Sequence, residues 1–132
     1  MTSAYPERIV CLTEETTEVL YLLGQGHRVV GVSGYTVRPP EARRKPRVSA
    51  FLSAKLEKIE ALRPDLILAF SDLQADIVAE LARRGYPVYC FNQRSVAEIL
   101  QMVRILGGLV GCATEAERLA GELAAGLETI RA

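Results

Sequence analysis

Along this chain, short apolar runs alternate with stretches whose apolar residues recur every three or four positions, and the two periods predict different elements. RIVCL (8–12), RVVGV (28–32), DLILAF (65–70) and PVYCF (87–91) read as strands. The third is apolar throughout, as expected of a strand covered on both faces. Helical spacing runs from about Glu14 to Leu23, closed by Gly24. It returns in AKLEKIEAL, where Leu56, Ile59 and Leu62 share a face ahead of Pro64, and again through Leu73, Ile77 and Leu81, with Gly85 as a left-handed stop. Ser95 and Glu98 form a capping box for a helix with Ile99, Met102, Val103 and Leu106 on its core face, weakened or ended by Gly107 and Gly108. Thr114 and Glu117 form a second box, opening a last helix through Leu119, Leu123, Leu127 and Ile130.

Strands alternating with helices predict an α/β fold, a three-layer lobe with a mainly parallel four-stranded sheet flanked by helices. One stretch breaks the rhythm. GVSGYTVRPPEARRKPRVSAF (31–51) is proline-bearing and basic, and it reads as irregular over 33–50. A loop longer than about 12–15 residues in a compact domain is usually functional or disordered. Here it is expected to form one wall of a ligand site, because open parallel sheets bind ligands beyond the carboxyl ends of their strands. Those ends are Thr13 to Thr16, Ser33 to Phe51, Ser71 to Leu73 and Asn92 to Arg94. Tyr35, Phe51 and Phe70 then share one edge, and aromatic faces with a few polar groups suit a flat, partly apolar small molecule. The candidate ligand-binding residues are Thr13, Glu14, Glu15, Tyr35, Phe51, Phe70, Ser71 and Asn92.

Composition narrows the chemistry. The 132 residues fit one domain, and 16 acids balance 16 bases, so overall charge indicates neither nucleic acid nor an anionic membrane. Cys11, Cys90 and Cys112 have no C-x-x-C spacing and read as buried thiols, Cys11 and Cys90 in apolar strand-like runs. His27 is the only histidine, which excludes a multi-histidine zinc site. GQGHRVVG (24–31) has the wrong spacing for a dinucleotide fingerprint and follows a helix. Glu14, Glu15 and Glu18 suit the positive end of the first helix and crowd out a phosphate there. The bases Arg38, Arg43, Arg44, Lys45 and Arg47 read as a solvated loop. With no nucleophile elbow and no nucleophile paired to a base, neither an enzyme nor a cofactor or metal site is expected. MTSAYPERIV lacks a secretory signal, and no apolar run reaches the roughly 18 residues of a membrane span. A cytoplasmic protein, or one whose signal has been removed, is the expectation.

The order of motifs then resembles a known family. An early Thr17–Glu18 in the first helix, G-V-S-x-Y followed by P-P-E-A, V-S-x-aromatic, L-E-x-I-x-A-L-x-P-D-L-I and G-x-P-V run in sequence over nearly the whole chain. Together they resemble the N-terminal lobe of the ABC-transporter substrate-binding proteins for cobalamin, iron siderophores and haem. The resemblance implies two α/β lobes joined by a long rigid helix, with ligand held between them and delivered to a permease. On that reading residues 1–113 are the ligand-binding lobe and 114–132 the start of the interlobe helix. Tyr35, Phe51, Phe70 and Asn92 match cleft positions, and Glu57 matches a glutamate that docks on the permease. Where the family carries a small residue and proline after the first strand, this chain has TEET (13–16), a more acidic cleft that favours a corrinoid over an anionic siderophore. The resemblance implies a periplasmic or cell-surface location. A homodimer, through the last helix or the open cleft, is expected of a single lobe. A cytoplasmic small-molecule-sensing or protein-interaction domain built on the same lobe is the alternative.

Overall fold

The computed structural model describes residues 4–50 and 53–131. Phe51, a predicted cleft aromatic, lies outside the described residues. The chain falls into two compact units, residues 1–92 and 93–132.

The first unit carries the sheet. Its strands are β1 (Ile9–Cys11), β2 (Val29–Ser33), β3 (Arg47–Ala50), β4 (Ser53–Ala54), β5 (Leu66–Phe70) and β6 (Val88–Phe91). They lie in the order β4-β3-β2-β1-β5-β6, parallel except for β4, which runs back against β3. The predicted α/β lobe is present, with six strands where the sequence pattern yields four. The extra pair comes from the stretch read as irregular. Pro40–Arg44 forms a 3-10 turn, after which Arg47 and Ser49 register against Val32 and Ser33 of β2. RVSA is too short and polar to announce itself, and becomes a strand because β2 offers a ladder and the core receives Val48.

Helix α1 (Glu14–Leu22) lies against β1 and β2, α2 (Leu56–Ala61) against β3, and α3 (Ala75–Arg83) against β6. Alternate strand residues Val10, Leu12, Val48, Ile67 and Ala69 meet Ile59 of α2 and Leu81 of α3 in one core. Each Val, Leu or Ile side chain among them, fully buried, contributes about 1.5–3 kcal/mol. The intervening Ile9, Cys11, Leu66 and Leu68 are buried too, which explains the unbroken apolar runs of these central strands. Gly24 (φ 75°) and Gly85 (φ 92°) end α1 and α3 in the left-handed region open to glycine, as the pattern predicts. Asp65 fastens the entry to β1 by accepting from the backbone N–H groups of Glu7 (2.9 Å) and Arg8 (2.8 Å).

Three packing expectations change. Cys90 is exposed, because β6 is the sheet's edge strand in this unit, whereas Cys11 on β1 is buried. Leu73 is 61% exposed, since α3 begins only at Ala75 and Leu73 sits in a preceding 3-10 turn, off the α-helical repeat. Ile99 is also exposed, while Met102, Val103 and Leu106 are buried as predicted.

The second unit is a helical hairpin of α4 (Val96–Leu109) and α5 (Ala113–Arg131). The Ser95 hydroxyl caps α4 by accepting from the Glu98 N–H at 3.2 Å. Gly107 and Gly108 do not end α4, and the first of them packs against α5. A Cβ on Gly107 would fall 2.2 Å from the Cβ of Ala116. On α5 the fully buried residues are Ala116 and Ala120, and Leu123 of the predicted stripe stays exposed. A forked pair between Arg104 and Glu117, at 2.8 and 3.0 Å, bridges the hairpin. Helix α5 begins at Ala113, so Thr114 lies in its first turn, not at the cap.

Candidate ligand-binding rim

From β1 the chain adds β2 and β3 on one side, then crosses to add β5 and β6 on the other. The strand order therefore reverses between β1 and β5, and a crevice is expected beyond their carboxyl ends. Those ends are joined by one side chain that motif reading overlooks. Gln74 is buried, its Nε2 donates to the Leu12 carbonyl (3.2 Å) and its Oε1 accepts from the Phe70 N–H (2.8 Å). One amide thus ties the exit of β1 to the exit of β5.

Ser71 makes the turn beside it. Its backbone, at φ 64° and ψ 168°, is in a region seldom entered by a side-chain-bearing residue, at a cost of order 1–3 kcal/mol. The surroundings hold it there. Its N–H donates to the Phe91 carbonyl (2.6 Å), its carbonyl accepts from the Gln74 N–H (3.2 Å), and its Oγ accepts from the Leu73 N–H (3.1 Å). The Cys90 thiol adds a contact to the same carbonyl at 3.6 Å. This turn lifts Leu73 out to solvent.

The other side of the switch is built from threonines. Thr13, Thr16 and Thr17 are all buried; the Thr13 and Thr16 hydroxyls lie 3.1 Å apart, and Thr17 donates to the Thr13 carbonyl at 3.0 Å. Beneath them burial pushes the Cys11 thiol up to about 11, against smaller opposing hydrogen bonds from Thr17 and Thr16, so this cysteine is a neutral core group. Cys90 is raised as well, by partial desolvation and then by the charge of Asp72.

The structure brings most of the predicted residues to this one edge. Tyr35, 63% exposed, follows β2. Phe70 is half-buried at the end of β5. As β1 separates their strands, β2 and β5 lie about two strand spacings, roughly 10 Å, apart across the sheet. Glu14 and Glu15 are exposed at the start of α1, and Asn92 is exposed just past β6. Thr13 and Ser71 are buried, and their hydroxyls are engaged in the bonds above. Leu73 joins this edge as an apolar residue that helical periodicity assigns to the core. The predicted docking residue Glu57 is exposed in the first turn of α2, beside Lys55, Lys58 and Arg84 in a cleft of about 500 Å³. The loop arginines are not merely solvated: Arg43 Nε donates to the Val37 carbonyl (2.9 Å) and Arg47 to that of Gly34. Among the described residues no group of His, Cys, Asp and Glu has the geometry of a metal site, and no helix is long and apolar enough to cross a membrane.

An open parallel sheet with a partly apolar rim at its switch point is the architecture of a small-molecule binding lobe. The sequence matches the periplasmic binding protein family over residues 9–132, and the chain belongs to that family as an N-terminal lobe. It is 33% identical over 122 residues to the vitamin B12-binding protein of Pectobacterium carotovorum subsp. carotovorum (strain PC1), covering 90% of this chain and 44% of the relative. Similarity to the uncharacterized ABC transporter substrate-binding lipoprotein YvrC of Bacillus subtilis (strain 168) is 30% over 130 residues, covering 96% and 41%. Among solved structures, the periplasmic vitamin B12 binding protein BtuF of Vibrio cholerae superposes with a TM-score of 0.86 at 29% identity, over 96% of this chain and 50% of that one. The periplasmic heme-binding protein RhuT from Roseiflexus sp. RS-1, in apo form, gives 0.86 at 28%, over 95% and 49%. The chain thus spans about half the length, or less, of the relatives it matches.

Proposed function

We propose that this chain is the ligand-contacting lobe of an ABC importer's substrate-binding protein, taking a corrinoid, or a haem or ferric siderophore complex, without chemical change. The observation that carries the reading is the rim itself: exposed Tyr35 and Leu73 flank a switch point whose backbone is fixed by Gln74 and Ser71. A ring and an aliphatic side chain carried on a stiff support can pack on a macrocycle at a reduced ordering cost. Phe70 and Asn92 complete the proposed wall, and Glu14 and Glu15 bound its acidic end. The vitamin B12- and heme-binding proteins among the similar chains support the ligand class. Their periplasmic and lipoprotein descriptions support action outside the cytoplasmic membrane.

Delivery follows by docking on a permease, with the exposed carboxylate of Glu57 as one contact. Residues 114–132 would open the connection to a second lobe. Self-association through α5, where Leu123 is exposed, is a separate expectation for sedimentation at micromolar concentration.

The test is calorimetric titration with cyanocobalamin and with haemin. Saturable binding is expected, and Tyr35→Ala should weaken it by about 1–3 kcal/mol, the usual cost of losing an aromatic anchor. Absence of saturable binding by either ligand to folded protein at high micromolar concentration would refute the reading.

A further inference from the structure

One cleft on the same edge has a different character. It encloses about 410 Å³ beside β3 and β4, and Gly34, Arg47, Ser49, Ser53 and Lys55 stand in its wall. Among the described residues no carboxylate lines it. Neither Arg47 nor Lys55 is paired with an acid among the described residues. Ser49 is only 8% exposed, and its Oγ is buried with no hydrogen-bond partner. A buried hydroxyl left unsatisfied is uncommon in folded proteins and asks for an explanation.

The groups around it are held in place. The Gly34 N–H donates to the Ser49 carbonyl at 2.5 Å, and the Lys55 N–H to that of Val48 at 2.8 Å, so the cleft's backbone is tied across β2, β3 and β4. Arg47 donates one N–H to the Gly34 carbonyl, and a guanidinium carries five such donors in a fork matched to carboxylate and phosphate oxygens. Two cations, a donor-capable buried hydroxyl and a second serine, with no acid among the described residues of the wall, are complementary to an anionic oxygen group; Glu57, beside Lys55, lines the neighbouring cleft and not this one. Gly34 immediately precedes Tyr35, so the cleft adjoins the proposed stacking surface.

We propose that this cleft is an anion subsite, in which Arg47, Lys55 and Ser49 receive a carboxylate or phosphate substituent of the guest bound on the rim. The proposal rests on the ligand-binding reading given above. It makes the rim electrically two-ended, with Glu14 and Glu15 beyond β1 and the cations beside β3, and so fixes which way round an asymmetric guest lies.

Two pairs of probes test it: haemin against its dimethyl ester, which differ in the carboxylates alone, and cyanocobalamin against dicyanocobinamide, which lacks the phosphodiester together with its ribose and benzimidazole. Inorganic phosphate alone is the third probe, followed through the amide resonances of Gly34, Ser49 and Lys55. At least one pair should favour its anionic member by about tenfold or more. Arg47→Gln and Ser49→Ala should each erase several-fold of that preference while leaving affinity for the uncharged member in place. Ser49→Ala removes a hydroxyl that bonds to nothing in the fold, so it should fold normally. Phosphate should shift the three amides saturably in the wild-type protein, a readout that needs no variant. If phosphate saturates but both pairs bind without discrimination, the cleft serves a free anion and the guest-subsite proposal fails. If phosphate saturates and no member of either pair binds, the rim reading fails, and the subsite proposal with it, leaving a free-anion cleft. Silent amides together with equal affinities within each pair would overturn the anion site altogether.

Discussion

Two neighbouring glycines in α4 should respond oppositely to the same substitution. At Gly107 an added Cβ would lie 2.2 Å from the Ala116 Cβ and 3.0 Å from the Cys112 carbonyl oxygen. Carbon atoms pack at about 3.5–4.0 Å, so the first contact is short by roughly 1.5 Å. Both carbons are rigidly attached to helix backbones, and no rotamer change can relieve the overlap. The hairpin must open or bend, for which overpacking costs of about 1–3 kcal/mol are typical, while alanine regains about 1 kcal/mol of helix propensity. Gly107→Ala should therefore lose up to about 2 kcal/mol net. At Gly108, which is exposed, an added Cβ meets nothing within 4 Å. Gly108→Ala should gain about 0.5–1 kcal/mol from propensity alone. Urea denaturation followed by circular dichroism at 222 nm reads both, and the midpoints should move in opposite directions. Adding Ala116→Gly should restore part of the loss at 107, because the two changes share one contact. Equal shifts for both glycines, or no rescue by the second change, would refute the close approach of α4 and α5.

Three further outcomes can be measured. Gln74→Leu removes the two hydrogen bonds joining β1 to β5, at about 2–4 kcal/mol, and should speed amide exchange at Phe70 while leaving the α4–α5 hairpin protected. Asp65→Ala removes the clamp on residues 7 and 8, at about 1–2 kcal/mol, and limited proteolysis should then cut ahead of β1. Thiol labelling of native protein at pH 8 should modify the exposed Cys90 and spare Cys11, which reacts only after unfolding. Because the Cys11 pKa is raised by folding from 9.0 to about 11, its contribution to stability is intact below pH 9. It is lost as pH climbs toward 11, where the unfolded thiol ionises and the folded one does not. Cys11→Ala should flatten that part of the pH–stability curve.

What the chain alone determines are the elements whose pattern is local. Central strands read as unbroken apolar runs because both faces are covered, helices α1 and α3 end at glycines with positive φ, and the Ser95 cap is spelled out three residues ahead of Glu98. The edge shared by Tyr35 and Phe70 was also legible, since the rule for open parallel sheets needs only the strand ends. Tertiary structure decided the rest, because it depends on neighbours distant in sequence. β3 becomes a strand only beside β2, Cys90 is exposed only because β6 is an edge, and Leu73 leaves the core because a strained turn at Ser71 precedes α3. Gln74 has no motif at all. Its role exists only because the crossing of the chain from β3 to β5 brings Leu12 within reach of an amide 62 positions away.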